Sequence, residues 1–351
     1  MNIKGFWRHN IIMKIIDDNK VNYSVFSTYR GALMGIAILG VMILHGIGWA
    51  EIEDSLFAKI ASPFARIAFT EGFIFLSGFG LYYSFSNNSN LTVFYKKRWY
   101  RLMVPFLIMA TPFYLYSLLD NGDIMRFFLN ETTLYFWIYG NNGMWYISIS
   151  VLLYILFPFI YRFIFQCNDN KAITLRALLL IVLCIAAVVS ISLLSPEYYD
   201  MTSIGIEKLP MFIIGMLIGY YAIKTCKLTV YHLLGGGILV MVTLFAKKAD
   251  DYFIPYYEMS VRLLLMPLTC IVLNWIKPRR VIVILEWFGR YSLELYVLHM
   301  FFICTIGSVL SFCEYPGALI PMTKTMLTMT LAIIVCAPVH RAIDFVIKKL
   351  R

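Results

Sequence analysis

The sequence predicts an all-α integral membrane protein with about ten spanning helices and little soluble structure. Three observations carry this expectation. Hydrophobic residues make up 60% of the 351 positions and charged residues only 14%, whereas a soluble globule covers its surface with about 25% charge. The mean hydropathy is +0.75, so lipid must solvate much of the surface. The 30 lysines and arginines stand in short clusters between apolar runs, a distribution that reads as membrane topology. The net charge of +10 therefore implies no nucleic-acid partner.

Apolar runs of spanning length lie at 31–50, 67–86, 102–119, 145–165, 174–194, 209–223, 229–246, 260–276, 291–312 and 325–345. The run at 209–223 is short, and Gly235, Gly236 and Gly237 loosen the one at 229–246. No repeat or linker interrupts the series, so residues 1–30 read as a cytoplasmic segment and 31–351 as one transmembrane domain. The first thirty residues are basic but lack an apolar core followed by a small-residue cleavage site, and no removable signal peptide is expected.

Orientation follows from the positive charges, which resist translocation. A cytoplasmic N-terminus puts 22 of the 30 basic residues on the inner side, in 1–30, 96–101, 162–176, 224–227, 277–290 and the tail from Arg341. An even number of spans returns the C-terminus to that side. The outer loops then carry acids, among them Glu51, Glu53, Asp54, Glu197 and Asp200. The seven cysteines are scattered and show neither CxxC nor Cys/His ligand spacing, so no metal site or disulfide framework is expected.

Ionisable side chains inside a span are costly and mark candidate sites. His45 stands near the outer end of the first span, and Arg30 fifteen residues earlier at its inner end, about 22 Å away along a helix. His45 is either a reactive imidazole or an interfacial one satisfied by water. Glu71 enters the second span at a similar depth. A carboxylate there either orients His45 as a general base or merely begins a helix. Lys96, Lys97, Arg98 and Arg101 precede the third span as either a phosphate-binding cluster or a positive-inside anchor. In RYSLELYVLHM, residues Ser292, Tyr296 and His299 share a helical stripe that contacts either a polar ligand or another helix.

These residues occur within a longer pattern that resembles the bacterial acyltransferase 3 family of membrane O-acyltransferases. LMGIAILGVMILH, EGFIFLSGF, FYKKRWYRLMVP, MWYISISVLLYILFP, KLPMFIIGMLIG, YSLELYVLH and VHRAIDF appear in the family's order, from about residue 28 to the end. The resemblance implies a multi-pass protein of the bacterial cytoplasmic membrane. It would take an acyl group from cytoplasmic acyl-coenzyme A, usually acetyl-coenzyme A, and pass it to a hydroxyl of a surface polysaccharide or lipid-linked glycan. A flippase for a lipid-linked glycan, without covalent chemistry, is the rival reading.

The resemblance maps the catalytic base onto His45, its acidic partner onto Glu71 and the donor's phosphate contacts onto Arg98 and Arg101. Tyr296 and His299 would join the donor site. Trp145 and Tyr146 match an aromatic pair that walls the acceptor side, or serve as belt aromatics. The family's arginine eleven positions before the histidine is Met34 here, and Arg30, one turn down the same helix face, is the expected substitute. Some family members carry an esterase-like domain after the last span. No counterpart follows here, so the expectation is a separate partner protein or an acceptor that reaches the bundle directly.

Overall fold

A computed structural model describes residues 22–49, 58–62, 70–140, 143–310 and 319–350. Glu51, Glu53, Asp54, His9, Cys313 and the segment before residue 22 lie outside these. The described residues form helices and turns, with one isolated antiparallel bridge between Asn22 and Lys227. The helices that matter here are α1 (Arg30–Trp49), α2 (Thr70–Asn87), α3 (Leu91–Arg98), α4 (Val104–Asn121), α5 (Trp145–Phe165), α6 (Asn170–Leu194), α7 (Pro196–Ile206), α8 (Leu209–Ile223), α9 (Val230–Ala249), α10 (Ile254–Ile276), α11 (Arg279–Arg290), α12 (Ser292–Leu310) and α13 (Leu319–Leu350).

Among the described residues, the ten expected spans fall on helices. Eight helical stretches among the described residues are long and apolar enough to cross a bilayer, with α3 and α4 joined as one and α7 and α8 as another. The expected spans at 67–86 and 291–312 correspond to α2 and α12, which fall outside that set. Serines, tyrosines, Glu71 and Asn87 make α2 more polar than its neighbours. The chain is a multi-pass membrane protein, because so many apolar helices find a suitable solvent only in lipid.

Burial divides the bundle into a packed centre and a lipid-facing sheath. On α2, residues Phe73, Ile74, Phe75, Leu76 and Phe79 are all buried. On α6, Leu175, Leu178, Leu179, Val182 and Leu183 are exposed, and α9 buries no residue at all. Apolar attraction does not hold helices together in lipid, so the centre relies on close backbone approach. A methyl group at Gly78 would stand 2.2 Å from the Phe212 carbonyl oxygen, and one at Gly215 2.1 Å from that of Phe75, which locks α2 against α8.

Helix α11 was not foreseen. The segment 277–290 is expected to be an inner loop, because it lies between two spans and carries Lys277, Arg279, Arg280 and Arg290. Its apolar positions nevertheless recur at helical spacing, and α11 packs against α1: a methyl group at Gly35 would lie 1.9 Å from the Leu285 carbonyl oxygen, and one at Gly289 2.0 Å from that of Gly31. Between α3 and α4 the chain makes a π-helical turn, Trp99–Met103, that carries Arg101. Such turns re-aim side chains and occur often at functional sites.

Candidate active site

A cavity of about 1030 Å³ opens beside the N-terminal end of α1, at the upper end of the range for ligand pockets. Its mouth is cationic. Arg30 from α1, Lys97 and Arg98 from α3, Arg101 from the π-helical turn, Arg290 from α11 and Lys348 from α13 all line it. Tyr100 donates a hydrogen bond to the Leu350 carbonyl at 2.9 Å and ties the end of α13 to this rim.

Three arginines, Arg30, Arg98 and Arg101, meet at this mouth. Among the described residues Arg30, Arg98 and Arg101 form no ion pair. Arg30 lies against Gly80 and reaches only the Leu76 carbonyl, at 3.5 Å, and its buried Nε has no hydrogen-bond partner. Arg98 donates from Nη2 to the Ser84 hydroxyl at 3.0 Å, faces the Phe94 and Tyr154 rings, and also leaves Nε unsatisfied. Buried donors without partners are costly, and a polyphosphate would satisfy both their hydrogen bonds and their charge.

Three acids line the same cavity, and they do not neutralise this group. Glu294 accepts a 2.6 Å contact from His340 Nδ1, while Asp344 stands 3.6 Å from the other nitrogen of that ring. Glu286 packs its side chain against Gly31. Arg30 therefore supplies a guanidinium one turn from Met34, and both line the cavity.

Further in, the lining turns apolar and aromatic, through Val41, Phe73, Tyr146 and Tyr296. The Tyr146 ring lies 5.6 Å from those of Phe73 and Tyr296. Tyr296 donates a 2.7 Å hydrogen bond to the Gly143 carbonyl, which holds the start of α5 against α12. Trp145 is buried behind this wall, with the Lys208 ammonium 5.7 Å from its ring centre.

One turn beyond Val41 stands His45, and its partner differs from the expected one. His45 Nδ1 lies 2.9 Å from Nε2 of His299. The contact plus the two ring radii accounts for the 5.2 Å between ring centres, so the imidazoles lie edge to edge, with planes 19° apart. His299 is fully buried, and neither it nor His45 is among the residues that line the cavity, whose lining on α1 reaches Val41. Its Nδ1 lies 2.7 Å from the Leu295 carbonyl.

The expected His45–Glu71 dyad is likewise not formed. Glu71 is buried in an ion cluster, 2.6 Å from Arg262 and 3.6 Å from Lys208. Arg262 also bonds Glu258 at 3.0 Å. Two cations, Lys208 at the start of α8 and Arg262 on α10, outcompete one imidazole for the carboxylate, because a buried charge is stabilised most by an opposite full charge.

Helix start depth explains why sequence reasoning missed the histidine pair. His299 lies seven residues into α12 and His45 fifteen into α1, which suggests different depths. Their contact shows that counting equal distances from the two helix starts does not give the register between α1 and α12. The signal was present in YSLELYVLH, but its register depended on the unforeseen α11.

A family model described as an acyltransferase domain matches residues 32–341. No curated protein and no solved structure matches significantly.

Proposed function

The chain belongs to this acyltransferase family, and on that premise we propose that it transfers an acyl group from cytoplasmic acyl-coenzyme A to a hydroxyl of a surface polysaccharide or lipid-linked glycan. Acetyl-coenzyme A is the first donor to try. One observation carries the reading: the cavity lined by three guanidiniums that form no ion pair among the described residues is also lined by Phe73, Tyr146 and Val41, the last one helical turn from His45. The charged head of the donor rests on Arg30, Arg98 and Arg101, and the pantetheine arm extends along Phe73 and Tyr146. The roughly 22 Å rise along α1 is of the order such an arm can cover.

On this reading the termini face the cytoplasm of a bacterial cell, and residues 31–351 act as one transmembrane domain. His45 takes the proton of the acceptor hydroxyl as that oxygen attacks the thioester carbonyl. The C–O bond forms, the C–S bond breaks, and the imidazolium returns the proton to the departing thiolate. Glu71 acts at a distance by fixing α2 against α8 and α10, and Trp145 backs the Tyr146 ring that separates the donor arm from the acceptor side.

Purified protein in lipid nanodiscs should release free thiol from acetyl-coenzyme A in the presence of acceptor glycan. His45→Ala should abolish release while coenzyme A still binds. A His45→Ala protein that transfers at the normal rate would remove the mechanism.

A further inference from the structure

We infer that His299 is a positioning residue that holds His45 in the Nδ1-protonated tautomer, so that Nε2 is the nitrogen presented to substrate. The inference rests on the acyl-transfer reading for its purpose, and on hydrogen-bond polarity for its content.

The argument starts at the Leu295 carbonyl, which can only accept. His299 Nδ1 lies 2.7 Å from it and must therefore carry the proton of that bond. A neutral imidazole has one N–H, so His299 Nε2 is left with its lone pair. A charged His299 would have two donors, but the ring is fully buried. No carboxylate among the described residues contacts it, and an unpaired charge there would be prohibitive. The acceptor at Nε2 faces His45 Nδ1 at 2.9 Å, so His45 donates. Its own lone pair is then at Nε2.

The edge-to-edge geometry suits this bond, because the donor hydrogen and the acceptor lone pair both lie in their ring planes. The chain Leu295 carbonyl, His299, His45 runs in one direction only. A carboxylate in place of His299 would fix the same tautomer and add a charge. The neutral imidazole fixes the tautomer without placing an anion in the apolar centre of the bundle. When His45 gains a proton at Nε2, its Nδ1–H remains bonded to the same acceptor, so no rearrangement accompanies the step.

Nitrogen-15 NMR of histidine-labelled protein in nanodiscs tests this directly, with the His45 signal assigned from the His45→Ala spectrum. The wild type should show His45 protonated at Nδ1. His299→Ala should lose that preference and reduce kcat at least tenfold, with KM for acetyl-coenzyme A held. His299→Gln, which can place its amide oxygen where Nε2 stands, should restore the tautomer and part of kcat. A wild-type His45 protonated at Nε2 would overturn the inference, as would a His299→Ala protein with normal kcat. The wild-type spectrum decides the tautomer even if a variant fails to fold. A protein that shows the Nδ1 tautomer yet moves no acyl group would refute the acyl-transfer reading and support the imidazole pair.

Discussion

Replacing Arg30 with Gln should weaken coenzyme A binding about 10- to 100-fold and leave the fold intact. A hydrogen bond to a charged group contributes about 1.5–3 kcal/mol, and about 1.4 kcal/mol is a factor of ten in affinity. The structural cost is small because the bond lost among the described residues is the long one to the Leu76 carbonyl, 3.5 Å. The change also relieves repulsion with Arg98 and Arg101, which face Arg30 as like charges. The melting temperature of the empty protein should therefore hold or rise. Titration calorimetry in nanodiscs with coenzyme A, and in parallel with pantetheine, separates phosphate binding from arm binding: only coenzyme A should be affected. Adding Met34→Arg in the Arg30→Gln background should recover part of the loss, since Met34 lines the same cavity one turn along. Unchanged coenzyme A affinity, or an equal loss for pantetheine, would refute the assignment of these guanidiniums to the donor's phosphates.

The other expectations concern the apolar path, the ion cluster and the helix contacts. Val41→Trp fills the part of the cavity that lies one helical turn from His45 and should reduce kcat more than tenfold while coenzyme A still binds, as steady-state kinetics and calorimetry would show. Glu71→Gln leaves Lys208 and Arg262 without their shared carboxylate, though Arg262 keeps Glu258, and should destabilise the protein by about 1–3 kcal/mol, read as a lowered unfolding midpoint. A stable Glu71→Gln protein with reduced kcat would instead mark Glu71 as a direct partner in catalysis. Gly35→Val drives a side chain into the Leu285 carbonyl. It should destabilise by at least about 1–3 kcal/mol, and a variant with unchanged thermal unfolding would contradict the close contact of α1 and α11.

Much of the architecture was legible in the sequence because lipid leaves few options. A run such as 174–194, almost without polar side chains, has to be a helix when no water can satisfy its backbone, and α6 covers it. The cationic mouth was legible in part: the cluster from Lys96 to Arg101 was visible, but anchor and phosphate site share one signature. Only the fold brings Arg30, Arg98 and Arg101 to one cavity, with no ion pair to them among the described residues, which is where the two readings diverge. The pairing of His45 with Glu71 rested on similar depth along two helices. Depth does not specify azimuth, and α2 turns Glu71 toward α8 and α10.

Composition and apolar runs determined that this chain lives in a membrane as a bundle of helices, since hydrophobic length and backbone satisfaction are properties of each segment alone. Which ionisable groups meet was decided only in three dimensions. Helix crossings are set by glycine contacts such as Gly35 with Leu285 and Gly289 with Gly31, and a shift of one turn there would carry His299 past His45. The imidazole pair is therefore a property of packing, written across α1, α11 and α12 together.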